Sequence, residues 1–90
     1  MNKDKVYIFH SDSGHGWFAV KRNELTELNI AEKISHYSYQ KGDTVYLEED
    51  QDATTFIIEF KKMFGAEPLF KESYIDSNSP IRSYYNYQTE

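Results

Sequence analysis

The chain of 90 residues contains no cysteine and no long apolar run. The absence of cysteine excludes disulfide bonds, thiolate metal sites and thiol nucleophiles, so packing alone must stabilise the fold. Apolar runs such as Phe56-Ile57-Ile58 are far shorter than the roughly 20 residues that a membrane-spanning helix needs. The N-terminus also lacks the hydrophobic stretch of a signal peptide, so we expect a cytoplasmic protein without a membrane partner.

Positive charge is also scarce, because the chain has 10 basic side chains against 15 acidic ones and a net charge of -5. Such a balance argues against direct binding to the phosphate backbone of nucleic acids. Residues 1–45 hold six basic and six acidic side chains, whereas residues 46–90 hold four and nine. The excess negative charge therefore belongs to the second half of the chain, where it favours a partner with a basic surface.

The length predicts a single domain over residues 1–90. Aromatic residues make up 17% of the chain, with 8 tyrosines among them, and each ring can bury about 150–250 Å2. We therefore expect a ring-rich core. Because a tyrosine hydroxyl needs water or a partner, several tyrosines should lie at the edge of that core or on an interaction surface.

Hydrophobic periodicity predicts an α+β fold, with a small, mostly antiparallel sheet of about five strands and one main helix over residues 52–64 on one face. The predicted strands are residues 5–10, 17–20, 36–40, 44–47 and 69–75. In the main helix, apolar residues recur at steps of three and four, and we expect Phe56 and Phe60 to contact Ile8 and Val45. Asn23 is expected to cap a short helix over residues 24–28, which precedes the main helix in the sequence.

Residues 77–90 form a polar tail that nevertheless contains three tyrosines and an isoleucine. These apolar side chains predict that the tail docks on the domain, at least through Tyr85. Arg82 can stack on the neighbouring rings or meet a partner's carboxylate, but the more ordinary interpretation is that it ties the tail to the acidic half.

The segment Ser11–Gly16 combines turn-forming residues with two glycines between apolar stretches, which is typical of a hairpin loop. His15 and Trp17 in or beside this loop are the best candidates for a small-ligand or catalytic site, although no nucleophile, base and oxyanion hole can be assigned from sequence. The histidines have no metal-ligand spacing, and the glycines match no nucleotide motif. We therefore predict no metal, no cofactor and no catalytic residue.

An acidic run precedes the main helix and consists of Glu48, Glu49, Asp50 and Asp52. It lacks the glycine and the spacing of a calcium-binding loop. One interpretation is that these carboxylates complement the positive end of the helix. The other is that they form an acidic face that binds a basic protein surface.

Three phrases together resemble a family of small uncharacterised proteins from phages and other mobile elements. They are Gly14-His15-Gly16-Trp17, the segment from Ser38 to Asp50 that ends in Leu47-Glu48-Glu49-Asp50, and Ser79-Pro80-Ile81-Arg82-Ser83-Tyr84. The resemblance spans nearly the whole chain. It implies a genomic setting and assigns no activity or catalytic residue.

The leading expectation is a non-enzymatic accessory protein that binds a host or phage macromolecule through an acidic, tyrosine-bearing surface, for example to inhibit a defence nuclease. One alternative is a small enzyme or ligand binder that uses the glycine loop. Another is a self-associating structural module that forms a homo-oligomer. The candidate binding residues are His15, Trp17, Glu48, Glu49, Asp50, Asp52, Arg82 and Tyr85.

Overall fold

The computed structural model describes residues 1–89, which form one mixed sheet, two α-helices and two short 3-10 helices. The strands are β1 (Val6–Ser11), β2 (Gly16–Lys21), β3 (Tyr39–Lys41), β4 (Thr44–Glu48), β5 (Leu69–Tyr74) and β6 (Tyr85–Asn86). The helices are α1 (Arg22–Glu27) and α2 (Asp52–Phe64), and the 3-10 helices are Ala31–Lys33 and Pro80–Ser83.

The sheet has the strand order β5-β1-β2-β4-β3-β6. All neighbours are antiparallel except β1 and β5, which run parallel because α2 lies between β4 and β5 and returns the chain to the far edge. The predicted α+β class and the main helix are therefore confirmed. The sheet has six strands rather than about five because the tail contributes β6.

Helix α2 follows directly from the sequence pattern. Its apolar stripe places Phe56 and Phe60 at 0% exposure, while Lys61 and Lys62 lie in its last turn, where the helix dipole favours positive charge. Gly65 ends the helix with φ of 75° and donates its N–H to the Lys61 carbonyl oxygen at 2.8 Å. This left-handed conformation is the one that favours glycine after a helix.

The core lies between α2 and one face of the sheet and is built largely of rings. Tyr7 stacks on Phe18 with centroids 5.2 Å apart, and Phe56 meets Tyr7 edge-on at 5.5 Å. Side chains alternate along β1, so Ile8 points to the opposite face and the expected contact between Ile8 and α2 is wrong. Tyr7, which the sequence analysis did not place in the core, takes that position.

Helix α1 is held to the sheet by a carboxylate rather than by Asn23. Glu24 Oε1 accepts the backbone N–H of Lys21 at 2.8 Å, which caps the helix from its third residue. Its other oxygen accepts the hydroxyl of buried Tyr7 at 2.6 Å. The expected cap at Asn23 is therefore wrong, since the helix already begins at Arg22.

The C-terminal residues before β6 lie against the sheet face opposite α2. Tyr84 is in ring contact with Tyr46 at 5.4 Å, and Ile81 is 3% exposed. Beyond β6, the Tyr87 hydroxyl donates to the Ala31 carbonyl oxygen at 2.6 Å. Residues 80–84 thus cover part of the face opposite α2, whereas Tyr87 packs into the core on the α2 side.

Candidate functional site: an aromatic recess beside the glycine loop

Asp12 organises the loop between β1 and β2. Its Oδ1 accepts the backbone N–H groups of Gly14 at 3.0 Å and His15 at 2.9 Å, so the loop closes on the side chain. Its Oδ2 accepts the N–H of Ser79 at 2.8 Å, and the Arg82 guanidinium donates to both carboxylate oxygens at 2.7 and 2.9 Å. One buried carboxylate therefore joins the loop to the C-terminal segment.

These donors favour the ionised form of Asp12. The hydrogen bonds from Arg82, followed by the N–H of Ser79, hold the pKa of the Asp12 carboxyl far below its usual value, although burial acts in the opposite direction. The same contact raises the pKa of Arg82. Arg82 thus ties the tail to the first half of the chain, and the expected attachment to the acidic second half is wrong.

We expect the free energy of unfolding to fall in acid partly through Asp12. A carboxyl whose pKa is lower in the folded chain contributes stability above its unfolded value of about 4 and loses that contribution as the pH falls below it. Urea unfolding at several pH values should show a steeper loss for the wild type than for Asp12→Asn. Parallel curves for the two proteins would contradict the role given to Asp12.

The glycine loop and the end of β4 border an open recess of about 450 Å3 on the sheet face opposite α2. We call it the aromatic recess, and its lining residues are His15, Trp17, Tyr37, Tyr39, Glu48, Asp50 and Arg82. Trp17, the only tryptophan of the chain, is 2% exposed and forms the floor. Tyr37 is 61% exposed and forms part of the rim.

The rings of the recess stand at large angles to one another. Tyr39 meets Trp17 edge-on, with centroids 6.3 Å apart and planes at 71°. His15 lies 6.0 Å from the Trp17 ring at 51°. The guanidinium of Arg82 already lies over the buried Trp17 ring, with Cζ 5.8 Å from the ring centre. The rings that remain accessible at the recess, and whose faces can attract a further cation, are those of exposed Tyr37 and half-buried Tyr39.

Two carboxylates stand beside these rings because β2 and β4 pair in a register that places Trp17 opposite Glu48. Both oxygens of the Glu48 carboxylate accept the backbone N–H of Asp50, at 2.8 and 3.1 Å, and Oε2 also accepts that of Gln51 at 3.2 Å, which fixes the orientation of the carboxylate. Asp50 is exposed at the rim. Since Asp12 balances the charge of Arg82, the recess carries net negative charge.

The aromatic recess unites five of the predicted binding residues, and these are His15, Trp17, Glu48, Asp50 and Arg82. Glu49 is exposed but is not among the residues that line the recess, and its N–H donates to the Gly16 carbonyl oxygen at 3.2 Å. Tyr85 is 83% exposed in β6 and is not among the residues that line the recess. The glycine loop and the acidic run, separate candidates in the sequence, are thus two walls of one site.

Asp52 does not belong to this surface, because it is fully buried at 0% exposure. Its Oδ2 accepts the backbone N–H and the hydroxyl of Ser35 at 3.0 and 2.7 Å, and the hydroxyl of Ser38 at 2.6 Å. The carboxylate holds the segment before β3 against the start of α2. Its prediction as a binding residue is corrected here, since a partner cannot reach it.

The sequence did not predict that Tyr37 and Tyr39 line the recess, or that Asp12 joins the loop to the tail. An aspartate followed by serine and glycine is a known turn signal, so the contacts of Asp12 within the loop could be predicted from the sequence. Its contacts with Ser79 and Arg82 could not be predicted, because they join residues far apart in the sequence. Both tyrosines fall within the predicted strand of residues 36–40 and were given no other role.

Within residues 1–89, no group of three histidine or carboxylate side chains is close enough together to hold a metal ion. No helix of the described part of the chain has the length and apolar character needed to cross a bilayer.

Comparison of the chain with protein-family models, with curated proteins and with solved structures finds no match in any of the three.

Proposed function

We propose that this chain is a non-enzymatic binding protein whose acidic, tyrosine-bearing surface holds a basic protein, with one cationic side chain of that protein in the aromatic recess. A single observation carries the proposal. Tyr37 and Tyr39 stand beside the carboxylates of Glu48 and Asp50 around a space of about 450 Å3, whose floor is the buried ring of Trp17. Aromatic faces next to carboxylates are the chemistry that recognises a desolvated cation.

The charge of the whole chain supports the same partner. A net charge of -5 attracts a basic surface over a distance of about 8–10 Å at physiological ionic strength. Glu49, which lies in sequence between the recess residues Glu48 and Asp50, adds an exposed carboxylate that can meet further basic side chains of the partner. Rim charges mainly raise the rate of association, whereas the enclosed contact determines how long the complex lasts.

The resemblance to proteins of phages and other mobile elements gives this proposal a setting. In that setting the partner is a host or phage macromolecule, and a defence nuclease is a natural target because its nucleic-acid groove is basic. An acidic surface would then occupy the groove in place of nucleic acid.

The proposal is tested by capture of partners from host lysate on immobilised protein. We expect the double variant Glu49→Gln/Asp50→Asn to lose the partners that the wild type retains, because both carboxylates are exposed and contribute to attraction rather than to folding. The matched control is Glu32→Gln/Glu67→Gln, which changes the charge equally at exposed sites outside the recess. Identical partner lists for all three proteins would contradict the proposal.

A small-ligand binder that uses His15 and Trp17 is a second candidate, since the recess has a volume typical of ligand pockets, roughly 300–1,000 Å3. The two candidate functions use the same lining residues of the recess and differ in the size of the bound molecule. A small organic cation that changes Trp17 fluorescence and displaces no protein partner would favour the second candidate.

A further inference from the structure

We infer that the outer edge of β5 binds an extended segment of another protein, which adds a seventh strand to the sheet. Backbone hydrogen bonds hold this segment. Its side chains place apolar groups beside Phe70 and Tyr74, and charges of opposite sign beside Lys71 and Glu72. The inference does not rest on the proposed function, since none of these residues lines the aromatic recess.

The outer side of β5 carries backbone groups without a strand partner. The strand lies at one end of the sheet, pairs only with β1 within residues 1–89, and has all six residues exposed. The N–H of Ile75 donates to the Ser11 carbonyl oxygen at 3.0 Å, so odd-numbered residues direct their backbone groups towards β1. The N–H and carbonyl groups of Phe70, Glu72 and Tyr74 therefore point outwards. Such groups are a template for a further strand.

The two edges of the sheet differ in how far they are protected against further strands. The other edge is formed by β6, which spans only Tyr85–Asn86. Short edge strands, prolines and bulges are means by which sheets avoid new strand partners. β5 has none of these, since its six residues pair one to one with those of β1 and contain no proline. Its protection consists of Lys71 and Glu72, which act against particular partners.

Apolar side chains stand on both faces of this edge. Phe70 lies on the α2 face, where its ring meets that of Phe18 edge-on at 6.0 Å, yet more than half of it stays exposed. Tyr74 shares that face because side chains alternate along a strand. Leu69 stands on the opposite face beside Val6, and both are about half exposed. An added strand therefore gains apolar contacts above and below the sheet, beyond its backbone hydrogen bonds.

The charges of β5 select against a second copy of this chain. Two copies related by a two-fold axis pair antiparallel, and the registers that pair most of the strand are centred on Lys71 or Glu72. Each of these registers places two like charges directly opposite each other, which destabilises a strand pair. A segment of another protein that brings an acid opposite Lys71 and a base opposite Glu72 is favoured instead. The Glu72 carboxylate has a defined position for this contact, because Ser11 Oγ donates to its Oε2 at 2.6 Å.

The test uses a synthetic peptide of about eight residues, a usual strand length. It is blocked at both ends, rich in valine and threonine, and carries adjacent glutamate and lysine at its centre, so its net charge is zero. Two further forms carry equal numbers of N-methyl groups, one on the amides that face β5 and one on the alternate amides that face solvent. Amide chemical shifts of the labelled protein are recorded during each titration.

We expect saturable changes at the amides of Phe70, Glu72 and Tyr74. One methylated form should bind about tenfold more weakly than the unmethylated peptide, because its methyl groups replace the donors that face β5, and the other should bind equally well. A matched pair of variants tests the protein's own donors. Tyr74→Pro removes an outward N–H and should bind about threefold more weakly than Tyr74→Ala, which keeps it.

The outcomes separate this inference from the proposed function. Glu49→Gln/Asp50→Asn should leave the affinity for the neutral peptide unchanged, since both residues lie outside β5. Equal affinities of the two methylated forms, changes concentrated on the aromatic recess, or no saturable change would overturn the inference. Sedimentation should show a monomer at the concentration of the titration. Dimers that the peptide dissociates would also overturn it, because a second copy would then occupy the edge.

Discussion

Phe60→Ala is expected to lower the free energy of unfolding by about 3–5 kcal/mol. The Phe60 ring is fully buried and touches the rings of Phe56, Tyr7 and Phe64, with centroids 5.9, 6.0 and 4.6 Å away. Its removal leaves a cavity that the surrounding rings can fill only in part. The whole free energy of unfolding of a domain of this size is about 5–10 kcal/mol. The midpoint of urea or thermal unfolding should therefore shift strongly.

Ile58→Ala is the control for Phe60, because Ile58 lies in the same helix and is 48% exposed. Its replacement should change the free energy of unfolding by less than about 0.5 kcal/mol, as is usual at the surface. Equal losses for the two variants would mean that helix propensity rather than burial stabilises α2, and the assigned core would be wrong.

Asp52→Ala should lower the free energy of unfolding by about 1–3 kcal/mol, because it removes the acceptor of three hydrogen bonds from Ser35 and Ser38. The loss of stability should be smaller than the summed free energies of three hydrogen bonds, since Asp52 Oδ1 is buried without a partner among the described residues. The unfavourable desolvation of Oδ1 in the wild type offsets part of what these hydrogen bonds contribute. Urea unfolding at neutral pH measures the difference.

Asp50→Ala is the matched control for Asp52, because it removes a carboxylate from the same acidic run at an exposed position. We expect a change of only a few tenths of a kcal/mol there, as for a charge near a helix N-terminus. If both variants lose the same amount, Asp52 acts through its charge alone and the buried hydrogen-bond cluster has no structural role.

Local patterns were enough to predict much of the fold. The spacing of Phe56 and Phe60, together with Gly65, determines α2 and its end. The glycine loop predicted the β1–β2 hairpin in the same way. The face of β1 was not predictable, because Val6 and Ile8 on one side and Tyr7 and Phe9 on the other are all apolar. Only contact with Phe18 and α2 decides between the two faces.

The candidate site was predictable in its parts but not in its assembly. His15 and the acidic run lie more than thirty residues apart, and they meet because β2 pairs with β4 in one register. Register depends on long-range pairing, which spacing within one strand does not reveal. Asp52 was misassigned for a related reason, since nothing in an acidic run tells which carboxylate turns towards the buried serines.

The aromatic recess as a cation site is tested most directly by mapping amide chemical shifts of the labelled protein during titration with a basic peptide. We expect the largest changes at the indole N–H of Trp17 and at the backbone amides of His15, Tyr39 and Asp50. Changes concentrated on β5 and α2, or no saturable change at any residue, would contradict the account.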